Sequence, residues 1–507
     1  MSELVPDALV RGARLVPVGG PAPEHPVDLR IRGGVVTEVA PVLAPVTGEE
    51  VHEAGGRWAL PGLWDAHVHL TQWGMSARRL DLSGATGPQD AVRRVRAHLD
   101  RVGPGSSVVQ GWGHRSATWQ RPPTVAELDA ACGERPVVLV SGDGHHGWLS
   151  SAALRLLGLA PRAGVLEEND WFPVWSRLAE LPGATETAEA GVADVVAAAA
   201  ARGVVGIVDM ELADNAAVWP ARFAAGVRSL RVRGATYAAG LDDAVAAGLA
   251  TGTPFEGGEG LATMGPLKII SDGSLNTRTA HCCDPYADAD GLEHPRGVQN
   301  TSLDELVDLL SRASAARIEV AVHAIGDCAV RIALDAVERT GARGSIEHAQ
   351  LVTEPDLSRM AALGVTASVQ PAHLLDDRDV TERYWPDRAG RAYAFRSMRR
   401  AGVRLAFGSD APVSPLDPWL ALAAAVHRSA DERAPWHPEQ ALTVAEALAA
   451  STDGQGTLAA GSRGDLVLLD ADPLAGPAED TGALAAYLRA VPVAATFVAG
   501  RPTHLSL

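Results

Sequence analysis

From residue 203 onward, short apolar runs alternate with stretches whose apolar residues recur at helical spacing, the rhythm of βα units around a parallel sheet. Strands are predicted at VVGIVDM (from 204), LRVRGATY (230), LKIISDG (267), IEVAVHA (318), GSIEHAQ (344), VTASVQP (365) and RLAFGSD (404). An earlier apolar run ends in DAHVH at 65–69 and brings the set to eight. Eight such units predict an α/β fold, a (β/α)8 TIM-like barrel with its chemistry at the C-terminal strand ends. Residues 8–58 have a different texture, alternating apolar and polar positions in short pieces broken by Gly and Pro, which predicts a small β unit. That texture returns in GDLVLLD (464–470) and AATFVAGR (494–501), so both termini are expected to build one small β-sandwich domain. The expected organisation is 1–58 and 452–507 as the two parts of the β domain, with the barrel over 59–451. Residues 71 to about 202 form a long insertion after the first strand, with a helix over 88–102, a strand at PVVLVS (136–141) and many Trp and His residues.

Composition narrows the class. A chain of 507 residues with 47% hydrophobic content can bury a large core. Its formal charge of -18 argues against nucleic acid or an anionic membrane surface as the main partner, because both require a basic footprint. A small-molecule substrate fits better. Four cysteines are too few for a disulfide framework, and adjacent Cys282 and Cys283 are poorly placed to pair, which points to a reducing cytoplasm. The N-terminal stretch lacks the pattern of a secretory signal, and no window is long and apolar enough to span a membrane.

The candidate chemistry lies at the strand ends. His67 and His69 are one residue apart on a predicted strand, so both rings face one side and can grip one ion; the alternative is a hydrogen-bonded histidine pair. Of Lys+Arg 44, the single lysine is Lys268, inside a predicted buried strand. Arginine stays protonated at any working pH, whereas a desolvated lysine can lose its proton and react. The other reading of Lys268 is an ion pair. His323, His348 and Asp410 close three further strands, so six metal-capable groups are expected at one mouth of the barrel.

Several motifs carry a resemblance over nearly the whole chain: PGLWDAHVHL, LKIISDGSLNTRTA, VHAIGD, EHAQ and GSDAPV, with GWGHRSATW, PTVAELD and SGDGHHGW in the insertion. They resemble the amidohydrolase superfamily, in the branch of metal-dependent hydrolases that includes N-substituted formamide deformylase. The resemblance implies two divalent metal ions, zinc first. One would sit on His67, His69 and Asp410 and the other on His323 and His348, with Lys268, carboxylated by CO2, bridging them. It implies hydrolysis of a non-peptide C–N bond in a small-molecule amide, formamide or cyclic amide by a metal-bridging hydroxide, with Asp410 as proton shuttle. His145 of SGDGHHGW is expected either to touch the substrate carbonyl or to be a loop histidine held by Asp143, and Arg278 to bind a carboxylate or oxyanion. Asn276 stands where the family commonly has Gly, which puts the reach of Arg278 in question. Trp112, Trp119 and Trp148 are read either as an apolar wall for substrate or as packing of the insertion. Two rival readings remain at this level: a mononuclear deaminase or cyclic-imide hydrolase on the same barrel, and a catalytically inactive scaffold relative. By analogy with insertions that meet across a two-fold axis, a homodimer is expected.

Overall fold

The computed structural model describes residues 7–114, 116, 119–141, 146–175 and 177–507. His145 lies outside these described residues. By contacts the chain divides into two compact units, residues 1–70 with 196–507, and residues 71–195.

The first unit holds an eight-stranded parallel barrel sheet. Its strands are β1 (Leu63–Val68), β2 (Val204–Asp209), β3 (Arg231–Tyr237), β4 (Ala262–Ile270), β5 (Val320–Ala324), β6 (Gly344–His348), β7 (Thr366–Val369) and β8 (Arg404–Phe407). They pair in chain order from β1 to β8. Continuous apolar runs suit this setting because a parallel strand in a barrel is buried on both faces. The β8–β1 seam closes at its C-terminal end through backbone bonds: Asp410 N–H donates to the His67 carbonyl (2.7 Å) and His69 N–H to the Ala411 carbonyl (2.9 Å). Close approach there needs Gly408, since a Cβ at that position would lie 2.7 Å from the His67 nitrogen. Lower in the seam, the Asp65 carboxylate accepts the N–H groups of His67 and Ser409, both at 3.0 Å.

One sequence expectation is corrected. β4 begins at Ala262, five residues before the apolar LKII run, and carries Pro266 inside it. Proline in a strand reads as a boundary because it cannot donate to the ladder. Here the pairing with β3 shifts register between Gly234 and Thr236, beside that proline, and the strand continues through the irregularity.

The termini form the small β-sandwich. Strand Leu466–Leu469 pairs antiparallel with Trp58–Pro61, and Ala8–Leu15 is shared between the two sheets of the sandwich. Val10, Leu15, Leu29 and Ile31 from one terminus share a single core with Leu466, Leu468 and Phe497 from the other.

The second unit is a five-stranded sheet with its own helices, among them Pro88–Val102. Trp119 and Trp148 belong to its interior: their rings meet edge to face at 6.4 Å, and their indole N–H groups donate to the carbonyls of Ala85 and Thr124. Among the described residues, no helix is long and apolar enough to cross a membrane.

Candidate metal centre

Six side chains singled out by sequence converge at the C-terminal end of the barrel. His67 and His69 extend from β1 on the same side, as strand alternation requires. Their Nε2 atoms lie 3.5 and 3.4 Å from Asp410 Oδ1, beyond β8. Lys268 points inward from β4, 3% exposed, with Nζ 3.4 Å from His67 Nε2. His348 ends β6 with its ring centroid 5.2 Å from that of His67 and 4.5 Å from that of His323 on β5. Among the described residues, His67, His348 and Asp410 each bring a ligand-type atom within 4.8 Å of the other two.

Backbone strain marks the same residues. His348 (φ 69°), Ala349 (φ 40°) and Asp410 (φ 54°) sit in the left-handed region that side chains avoid, a state held only when surrounding packing dictates it. At His348 it has a direct effect. Successive strand residues face opposite sides, yet Glu347 and His348 both reach the cluster, because the chain turns at His348.

The outer nitrogens of two imidazoles are fixed from behind. His67 Nδ1 lies 2.6 Å from Glu347 Oε2, and Glu347 also accepts from the Ser345 hydroxyl. His348 Nδ1 is 2.8 Å from Gln370 Oε1. In each case Nδ1 carries the proton to its acceptor and Nε2 keeps its lone pair, the arrangement found behind metal-ligating histidines. His323 is held the other way, with Nε2 3.2 Å from the Gly273 carbonyl and 3.4 Å from Asp272. His69 Nδ1 and His373 Nε2 are buried without a hydrogen-bond partner, and His373 Nε2 lies 4.0 Å from Asp410 Oδ2. Lone pairs facing inward, a carboxylate among them and orphaned imidazole nitrogens form a donor set that suits a divalent cation.

The electrostatics agree with that chemistry. Burial, then the Lys268 charge, pushes His67 down and His323 to about 3, while burial and neighbouring His323 hold His348 well below its ordinary value. The imidazoles therefore stay neutral, the form that ligates. Burial works to raise Asp410, but His67 and the His69 hydrogen bond outweigh it and keep the carboxylate ionised. Burial lowers Lys268 against the pull of Glu347 and Asp410, favouring a neutral amine.

One other expected residue, Arg278, is engaged elsewhere. Arg278, itself at φ 57°, pairs with Asp288 at 2.9 Å and lies over the Tyr384 ring. Asn276, nearby, donates to Asp377. His145 is not among the described residues. Sequence reading missed Asp65, Glu347, Gln370 and His373. Asp65 sits two residues before His67 on the same strand face, a signal that could have found it. Gln370 and His373 follow β7 in a stretch with no ligand-like spacing.

A parallel barrel with histidines and a carboxylate gathered at its C-terminal strand ends defines the class of barrel hydrolases built to hold metal. The chain belongs to the amidohydrolase family, whose pattern it matches over residues 50–504. It is 28% identical over 493 residues to the N-substituted formamide deformylase of Arthrobacter pascens, covering 87% of this chain and 88% of that one. Two uncharacterized metal-dependent hydrolases share the fold. The one from Pyrococcus furiosus superposes with a TM-score of 0.79 at 26% identity, covering 92% of this chain and 100% of its own. The one from Pyrococcus horikoshii gives 0.77 at 27%, covering 92% and 98%.

Proposed function

We propose that the protein is a metal-dependent amidohydrolase that cleaves a non-peptide C–N bond in a small amide, formamide or cyclic amide. His67, His69, Lys268, His323, His348 and Asp410 would hold two divalent ions, zinc first. The observation that carries this reading is the inward-facing Nε2 of His67 and of His348, each with its Nδ1 fixed by a buried acceptor. Bound metal would acidify a water and polarise the substrate carbonyl.

The chain's own groups supply the rest. Glu347 fixes the tautomer of His67, and Gln370 that of His348. Asp410, ionised and placed beside His67 and His69, takes the proton of the attacking water at its carboxylate and hands it to the departing nitrogen, which leaves as an amine. Burial, which disfavours the ammonium form of Lys268, makes its free electron pair easier to expose to CO2; addition forms the N–C bond, releases one N–H proton to solvent and gives a carbamate whose single negative charge is shared over two oxygens. Arg278 would serve a substrate carboxylate or oxyanion in competition with Asp288, which holds its Nη1. The named activity of the Arthrobacter relative makes N-substituted formamides the first substrates to try.

The test is a screen of N-formyl, N-acyl and cyclic amides with protein purified without chelator, reading amine release alongside metal content. Two equivalents of metal, loss of activity in Lys268→Ala and a carbamate carbon signal after labelling with 13C-bicarbonate are expected. The compactness of the His67, His348 and Asp410 group favours one alternative, a mononuclear enzyme. One equivalent of metal and activity surviving Lys268→Ala would establish it.

A further inference from the structure

The second unit contains a cavity of about 380 Å³ whose wall is cationic. Arg78, Arg79, Arg101, Arg135 and His98 line it, and among the described residues no aspartate or glutamate does. This is unexpected in a chain with Asp+Glu 62 and a net charge of -18. Among the described residues, only Arg78 of these is paired with a carboxylate, Asp194 at 2.6 Å. Arg135 donates to the carbonyls of Ser107 and Gly103, which fix its position without cancelling its charge. Arg101 donates to His98 Nδ1 at 2.8 Å, so that nitrogen accepts and the ring proton sits on Nε2. The same two arginines, after burial, push His98 down. Arg79 stacks over Trp112 at 5.4 Å, and its Nε is buried without a partner. Ser107 and Thr187 add hydroxyls to the wall.

Gathering like charges around a half-enclosed space is costly unless a counter-charge occupies it. Guanidinium forks match the oxygen pairs of phosphates and carboxylates better than any other side chain does. We propose that this cavity is a binding site for a small, multiply charged oxyanion, a molecule bearing a phosphate group or clustered carboxylates, gripped by Arg79, Arg101 and Arg135. The site belongs to the second unit alone and does not rest on the reaction proposed for the barrel.

The test is isothermal titration of the metal-loaded, full-length protein with inorganic phosphate and, separately, with citrate, against chloride at equal ionic strength. Saturable binding that weakens with added salt is expected for at least one of the two, and which one binds assigns the natural ligand to phosphates or polycarboxylates. Arg79→Gln should weaken binding by about tenfold or more. The same substitution should raise the melting temperature of the anion-free protein, since it removes an uncompensated buried charge. The difference between wild type and variant reports this cavity and excludes anion held at the barrel centre. Arg101→Gln, at an exposed position with one side-chain partner, provides a second variant that should also bind more weakly should Arg79→Gln fail to fold. Absence of binding by both anions, or equal binding by wild type and the folded variants, overturns the proposal.

Discussion

Replacing Glu347 by glutamine removes one charge from behind His67 while keeping size and shape. Both partners of this pair are 1% exposed and the contact is 2.6 Å, so water screens it little. His67 and Glu347 are both pushed down, which places the proton on the imidazole and leaves the carboxylate ionised. A charge-assisted hydrogen bond contributes about 1.5–3 kcal/mol, and a neutral one about 1 kcal/mol. Glu347→Gln should therefore weaken the hold on His67 by about 0.5–2 kcal/mol, and metal affinity should fall about tenfold, at the lower end of the usual 10- to 100-fold cost of losing a partner behind a ligating histidine. Lys268 also loses one of the two carboxylates that favour its charge. The assay is a competition titration with a chromophoric chelator, with melting curves on the same samples to establish that the variant is folded. Affinity within twofold of wild type in a folded variant would refute the argument that Glu347 orients a ligand.

Asp410→Asn should retain the fold and lower turnover by at least about a hundredfold on any substrate found, since the amide cannot accept and return the proton; steady-state kinetics at saturating metal check it. The depressed values of His67, His323 and His348 carry a sign for metal binding. His323 and His348, neutral well below the ordinary histidine value, and His67, also lowered, leave protons little to compete for, so affinity should stay nearly flat from pH 7.5 to about pH 6, where three unshifted imidazoles would begin to lose metal to protons. Chelator titration across that range measures it. Gly344→Ala at the start of β6 should cost about 2–4 kcal/mol in thermal or chemical unfolding, because φ is 149° and the added Cβ would lie 1.9 Å from the Val320 carbonyl oxygen, a backbone atom that cannot move aside.

Much of the barrel was legible in the sequence because a buried parallel strand leaves a clear trace, a run of Val, Ile, Leu and Ala ended by one chemically capable residue. His323 after EVAV and Asp410 after AFGS are such endings. Alternation on β1 also identified His67 and His69 as a same-side pair. What stayed hidden depended on backbone geometry that no residue type announces. The left-handed turn at His348 lets Glu347 join the cluster, against the rule that neighbours on a strand face apart. Pro266 concealed the first half of β4, since a proline normally ends a ladder. Gln370 and His373 come from a segment whose apolar pattern serves the β7 strand, so their polar roles follow from tertiary approach alone. The tryptophans of the insertion were read two ways, and the interior packing of Trp119 and Trp148 follows from indole N–H groups already satisfied by local carbonyls.

The seam between β8 and β1 joins residues far apart along the chain, as the Asp65 to Ser409 contact spans 344 positions. His67 and Asp410 meet across that join, so the centre cannot exist until nearly the whole polypeptide has found its place, and local helices or hairpins cannot pre-assemble it. An ion gripping both sides would act as a clasp on the finished ring. Opening the ring would require the clasp to let go first, which makes slow unfolding, rather than tight local structure, the natural guardian of this enzyme's working life.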